Sequence, residues 1–318
     1  MRNLCIFLCV PPPDPYAPAA LPALSRLLSR ATRTRLEAHD REAALCALFG
    51  QSLNSNPPCA AFTALADGFS PGNAYWLRAD PIHLQPMRDD LAAMEISDLS
   101  TEHAQAMVQS INTLLAEDGL LLMAGAPHRW YFRLQTDPRI TTTALSQVIG
   151  RGINAHLPRG SESPAWQRRL TEIQMLLHTH AINEKREGQL AISALWLWGG
   201  GSLPKVSHKP FSTVYGGDAL AAGLALWSAV ENLSLPERFH PQSIAEDALV
   251  ILAPATESFS QLDEDWFTPV LDSLRKRLIA QCDIVLWNGA AHRFRLAPRD
   301  LWRFWRRDSS RDFLAANA

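Results

Sequence analysis

The stretch AISALWLWGGGSLP, residues 191–204, decides how the rest of the chain is read. Ile192, Leu195, Trp196, Leu197 and Trp198 make an apolar run without a charge, closed by Gly199, Gly200 and Gly201. Such a run suits a strand buried on both faces of a parallel sheet. Glycine lacks a Cβ, so three in succession permit a sharp turn and leave N–H groups open. Open α/β sheets bind ligands at the carboxyl ends of their strands. The glycines therefore read either as a ligand-facing turn or as a turn and no more. Their spacing matches neither a dinucleotide fingerprint nor a P-loop.

Working outward, residues 4–10 read as a first buried strand, expected beside residues 195–198 in one sheet. A proline-rich loop follows at 11–18, then helices at 20–30, with Leu21, Leu24, Leu27 and Leu28 on one face, at 42–49 and at 61–66. Residues 74–77 form a strand candidate leading into Arg78 and Asp80, which read either as a functional edge or as a solvated charge pair. Residues 100–117 predict a helix capped by Ser100 or Thr101, with Ala104, Met107, Val108 and Ile111 on its apolar face. Strands at 120–124 and 130–134 flank a hairpin-like turn. A further helix is expected within 142–157, and a long one at 164–179 carries Trp166, Leu170, Ile173 and Leu177 at helical spacing. Tyr215-Gly216-Gly217-Asp218 opens another helix, 248–253 a buried strand, 265–280 a helix, and 283–287 with 294–296 terminal strands. Arginines interleave with Trp302, Phe304 and Trp305 in the tail from 299 to 307. That tail reads as a phosphate- or partner-binding segment or as an amphipathic helix docked on its own core.

The chain has 318 residues, enough to bury one large core or two smaller ones. Thirty basic and 32 acidic residues give a formal net charge of −2, which offers no global case for nucleic acid. Cys5, Cys9, Cys46, Cys59 and Cys282 are an odd set without C-x-x-C spacing and read as reduced, packed thiols of a cytoplasmic protein. The apolar start is short for a signal peptide and far short of a membrane span of about 20 residues, so no membrane partner is expected.

His180-Ala181-Ile182-Asn183-Glu184-Lys185-Arg186, followed by Ala194-Leu195-Trp196-Leu197-Trp198-Gly199-Gly200-Gly201, resembles the signature of archaeal-type cofactor-independent phosphoglycerate mutases of the alkaline-phosphatase-like superfamily. The likeness extends to Leu21-Pro22-Ala23-Leu24, to residues 149–160 and to Tyr215-Gly216-Gly217-Asp218. Residues 76–84 and 172–178 are still more similar to RpfE-type bacterial regulatory proteins. The resemblance implies a three-layer α/β sandwich with a mostly parallel central sheet and a small α+β insertion. The core is expected in residues 1–97 and 191–318, and the insertion in 98–190.

A phosphomutase of this kind needs two divalent metals, because they activate the nucleophile and neutralise phosphoryl oxygens. The family's Asp-Gly metal motif after the first strand is replaced by Cys9-Val10-Pro11, leaving Asp14 as the nearby carboxylate. The family's Asp-Glu-x-x-His matches residues 256–260, which keep Glu257 and lack the Asp and His. His292 stands without the family's final carboxylate. No bound metal or cofactor is expected. The candidate ligand residues are Arg78, Asp80, His180, Asn183, Arg186, Gly199, Gly200 and Gly201; the competing reading makes Asn183 and Arg186 staples of the insertion. Two functions follow: a catalytically degenerate, regulatory protein binding a small phosphorylated metabolite or a protein, or an active phosphomutase or phosphatase with a rebuilt metal site.

Overall fold

The structure, a computed structural model, describes residues 2–10, 21–51, 56–186, 188–206, 209–253 and 261–306. Asp14, the proline loop at 11–18, and the segment 256–260 with Glu257 lie outside the described residues. The chain forms two compact units, one of Met1–Leu53 with Val206–Ala318 and one of Asn54–Lys205.

The first unit opens with β1 (Arg2–Cys9), α1 (Pro22–Arg30), β2 (Thr32–Leu36) and α2 (Arg41–Leu48). The second unit then runs through α3 (Cys59–Ala66), β3 (Tyr75–Pro86), β4 (Leu91–Glu95), α4 (Thr101–Leu114), β5 (Leu122–Ala126), β6 (Arg129–Leu134), α5 (Ser163–His178), α6 (Ala181–Glu184) and β7 (Ala194–Ser202). The chain returns to the first unit with β8 (Thr213–Gly216), α7 (Ala219–Trp227), β9 (Glu231–Leu233), β10 (Ala248–Leu252), α8 (Thr268–Arg275), β11 (Ile279–Trp287) and β12 (Ala291–Leu296).

The first unit is the expected α/β layer structure. Its seven-stranded sheet has the order β2-β12-β11-β1-β10-β8-β9. Five strands from β11 to β9 run parallel, and β12 and β2 close one side antiparallel. Leu4, Ile6 and Leu8 alternate onto the face covered by Leu24, Leu27 and Leu28 of α1 and by Val270, Leu271 and Leu274 of α8. Ile251 points the other way, where α7 closes so tightly that a Cβ on Gly217 would meet Ala221 at 2.5 Å and Ile251 at 2.9 Å. Leu21, at the N-cap of α1, has no side-chain acceptor for the helix's first N–H groups. The buried carboxylate of Asp263 supplies it instead, accepting from Ala23 N and Leu24 N at 2.9 Å each.

The second unit corrects the reading of residues 191–204. β7 lies in a separate five-stranded antiparallel sheet, against β3, with Leu197 opposite Ala79 and Trp196 opposite Asp80; it is not beside β1. The glycines continue the strand through an irregularity in register rather than ending it. The apolar run was a true sign of double coverage: α4 and α5 cover Leu195 and Leu197, while α3 packs on the other face with Trp76 and Tyr131. Coverage of both faces says nothing about the direction of the neighbouring strand. The boundaries change accordingly. The second unit spans Asn54–Lys205 instead of 98–190 and includes β3 and β7.

Three local expectations also change. Residues 142–157 hold two short 3₁₀ turns instead of a helix. The helix expected over 265–280 ends at Arg275, and Leu278 is exposed while Ile279 starts β11. The tail forms a 3₁₀ turn over Pro298–Trp302, and Trp302, Phe304 and Trp305 are exposed rather than docked on the core. No described helix is long and apolar enough to cross a membrane.

The remote cap on α1 is testable. Asp263→Ala should lower stability by about 1–2 kcal/mol in urea unfolding, and a loss below about 0.3 kcal/mol would contradict the capping role.

Candidate functional site

The residues singled out from the sequence fall into two buried networks of the second unit. Arg78 and Asp80 do not stand at a strand end; both are inside the twelve-residue β3. Arg78 donates from Nε and Nη2 to the two Asp80 oxygens, at 2.9 and 2.8 Å. Its guanidinium lies 4.8 Å from the Trp198 ring centroid and 5.4 Å from that of Tyr131. Trp198 Nε1 adds a 2.7 Å bond to Asp80. With Arg78 at 6% and Asp80 at 2% exposure, the guanidinium has its counter-charge inside the protein and none to spare for a ligand.

The second network joins α5, α6 and the start of β7. Asn183 donates to Leu177 O and Ile192 O at 2.7 and 2.8 Å and accepts from Ile192 N at 2.9 Å. Arg186 is buried, bonding Asp98 at 2.5 Å and Leu190 O at 3.0 Å. His180 accepts at Nδ1 from Ile182 N and sits 3.1 Å from Ser110 Oγ through Nε2; burial pushes its pKa down, in keeping with a neutral ring. These are the contacts of staples. The glycines pack closely against neighbouring side chains of the same unit. A Cβ on Gly200 would meet Tyr75 Oη at 2.5 Å, one on Gly201 would meet Pro58 at 2.6 Å, and one on Gly199 would meet Cys59 at 3.0 Å. With Gly199 at φ +66° and Gly201 at +157°, glycine is needed there for close packing.

The first unit offers a different site at the carboxyl ends of its parallel strands. Cys9 ends β1, and Gly216 ends β8 and leads through Gly217 into Asp218, the N-cap of α7. Arg41 opens α2, behind an Asp40 cap that accepts from Ala43 N at 2.6 Å. The Arg41 guanidinium bonds Asp218 from Nη2 and Glu42 from Nε, the latter at 3.2 Å, and also reaches the Cys9 thiol. Burial pushes Asp218 up, but Arg41 and the Leu220 and Ala221 N–H groups outweigh it and hold the carboxyl below its usual range. Burial raises the Cys9 thiol against the pull of Arg41, so at neutral pH it is a thiol and not a nucleophilic thiolate. Arg41 is partly exposed and Asp218 nearly half exposed, so their pair adds at most about 1 kcal/mol to folding. Its consequence lies in the charge it places at this edge. In the sequence Cys9 marks a strand end and Asp218 a helix entry, and neither pattern reports Arg41. The signal that marks Arg41 is the Asp40-Arg41-Glu42 cluster at a helix start.

No family model matches the chain. Over 152 residues it is 32% identical to the 2,3-bisphosphoglycerate-independent phosphoglycerate mutase 2 of Methanothermobacter thermautotrophicus, covering 43% of this chain and 37% of that one. Over 121 residues it is 26% identical to the 2,3-bisphosphoglycerate-independent phosphoglycerate mutase of Methanosarcina barkeri, covering 37% and 30%. Its curated relatives are phosphoglycerate mutases. The chain spans about a third of the length of the relatives it matches. The solved structure of the PH0037 protein from Pyrococcus horikoshii shares the fold, with a TM-score of 0.56 over 93% of this chain and 87% of that one at 14% identity.

The resemblance to the mutases implies two divalent metals, and the described residues do not fit them. Among these residues no three His, Cys, Asp or Glu side chains are grouped to hold a metal ion. At the carboxyl edge Asp218 and Glu42 already face a guanidinium. A single and a double positive charge about 4 Å apart repel by about 8 kcal/mol at an effective dielectric of 20.

The buried pair of the second unit carries the prediction here. Arg78→Ala would leave the buried Asp80 without its counter-charge, so stability should fall by about 3–5 kcal/mol in urea unfolding, and a loss below about 1 kcal/mol would contradict the internal pairing.

Proposed function

We propose that this chain is a phosphoglycerate-mutase-like protein that does not run the two-metal mutase reaction and acts by binding, in a regulatory role of the RpfE type. The observation that carries this reading is the Arg41 guanidinium at the carboxyl edge of the parallel sheet, bonded to Asp218 and Glu42 and beside Cys9. A fixed guanidinium there favours an anion over a cation. A small phosphorylated metabolite would approach Arg41 in competition with the half-exposed Asp218 carboxylate. A protein partner offering a carboxylate or phosphate would be held by the same charge. The reduced cysteines support a cytoplasmic setting for such a role.

The second reading is an active phosphomutase or phosphatase, favoured by the 32% identity to the Methanothermobacter enzyme. In that reading carboxylates outside the described residues, among them Asp14 and Glu257, would supply a rebuilt donor set. The two readings separate on turnover. Full-length protein assayed with 3-phosphoglycerate and added Mn²⁺ should show no 2-phosphoglycerate above the uncatalysed background. A kcat of about 1 s⁻¹ or more, within the ordinary enzyme range, would overturn the binding role in favour of the mutase.

A further inference from the structure

At the opposite, amino end of the same parallel strands, the first unit holds a cavity of about 730 Å³. That volume lies within the roughly 300–1,000 Å³ of small-ligand pockets. Four arginines line it: Arg30 at the end of α1, Arg275 at the end of α8, Arg277 just before β11, and Arg299 in the turn after β12. Ile279 and Leu301 are among its apolar residues, Trp302 lines it with an indole that is 76% exposed, and the described lining includes no carboxylate.

The charges here are not matched as they are in the second unit. Arg275 has Asp272, one helical turn away and itself half exposed. Arg30 gives Nη1 to Leu301 O at 2.7 Å, a bond that leaves its charge uncompensated. Burial, then the like charges of Arg26 and Arg275, push its guanidinium below the ordinary value. The guanidinium groups of Arg277 and Arg299 have no hydrogen-bond or ion-pair partner among the described residues. Arg277 sits at φ +56° as the residue that closes α8, with Leu278 N bonded to Ser273 O at 2.9 Å and Arg277 N to Leu274 O at 3.1 Å, which fixes its backbone at the cavity. Four guanidinium groups and no described carboxylate make the lining of the cavity positive.

We propose that this cavity binds a nucleoside diphosphate or triphosphate, with its phosphates on Arg275, Arg277 and Arg299 and its base stacked on Trp302. Guanidinium forks match phosphate oxygens bidentately. Base–aromatic stacking is what an exposed indole beside such a cluster can add. The cavity is of small-molecule size and the chain's net charge is −2, both of which favour a mononucleotide over a polynucleotide. The site is separate from the carboxyl edge and stands whether or not the protein turns over phosphoglycerate.

The test is calorimetric titration of the full chain with ADP and, separately, with inorganic pyrophosphate. Arg277, Arg299 and Trp302 are exposed, so their replacement should leave thermal unfolding unchanged. ADP should bind, and Arg277→Ala combined with Arg299→Ala should weaken it at least about tenfold. Trp302→Ala should weaken ADP about fivefold or more while leaving pyrophosphate within about twofold. Absence of ADP binding at about 1 mM, or an affinity unmoved by the arginine changes, would overturn the proposal. Pyrophosphate binding as tightly as ADP, with Trp302→Ala silent, would reduce the site to a general anion trap and overturn it as well. A single-stranded oligonucleotide binding more tightly than ADP would replace the mononucleotide with nucleic acid.

Discussion

A guanidinium taken out of water must find its counter-charge within the protein, and that constraint sorts the arginines of this chain. Arg78 is satisfied by Asp80 and Arg186 by Asp98, and each pair is closed by further bonds to Trp198 or to backbone carbonyls. Arg129, paired to Asp67 with Tyr131 as a third partner, repeats the pattern. Of these three, only Arg78–Asp80 is buried on both sides, and removing either of its members strands a charge in low dielectric. Arg129–Asp67 ties β6 to the end of α3, and Arg186–Asp98 ties the segment after α6 to the one before α4. The residues that look most like an anion site in the sequence are thus already neutralised.

Much of the fold was legible because its signals are local. Ser100 caps α4, accepting from His103 N at 3.1 Å, and the apolar spacing of α4 and α5 faces the core as read. The β5–β6 hairpin and the Asp218 cap of α7 are likewise where the turn and capping residues put them. The misreadings share one cause. Residues 194–198 signal burial on two faces, which an antiparallel strand between helices meets as well as a parallel one. Asp98 and Arg186 pair across 88 residues of sequence, and no local pattern reports that. At 278–279 the apolar run is continuous, but the chain turns at Arg277 with positive φ, and helix gives way to strand. For the candidate arginines and glycines, availability depends on partners that only folding supplies.

The relation to the mutases rests on about a third of those proteins' length and on a shared fold with PH0037. Within that relation the carboxyl edge is the informative place. There the parallel strands and the Gly216-Gly217-Asp218 helix entry present a guanidinium between two carboxylates, beside a thiol. The Arg41 guanidinium thus sets a positive charge between two carboxylates where the parallel strands end.

The most direct measurement is therefore metal stoichiometry. The full-length protein is equilibrated with Mn²⁺ and Zn²⁺, freed of unbound ions by gel filtration, and analysed for elements. The guanidinium-filled edge predicts less than one metal ion per chain. Two tightly held ions per chain would contradict it.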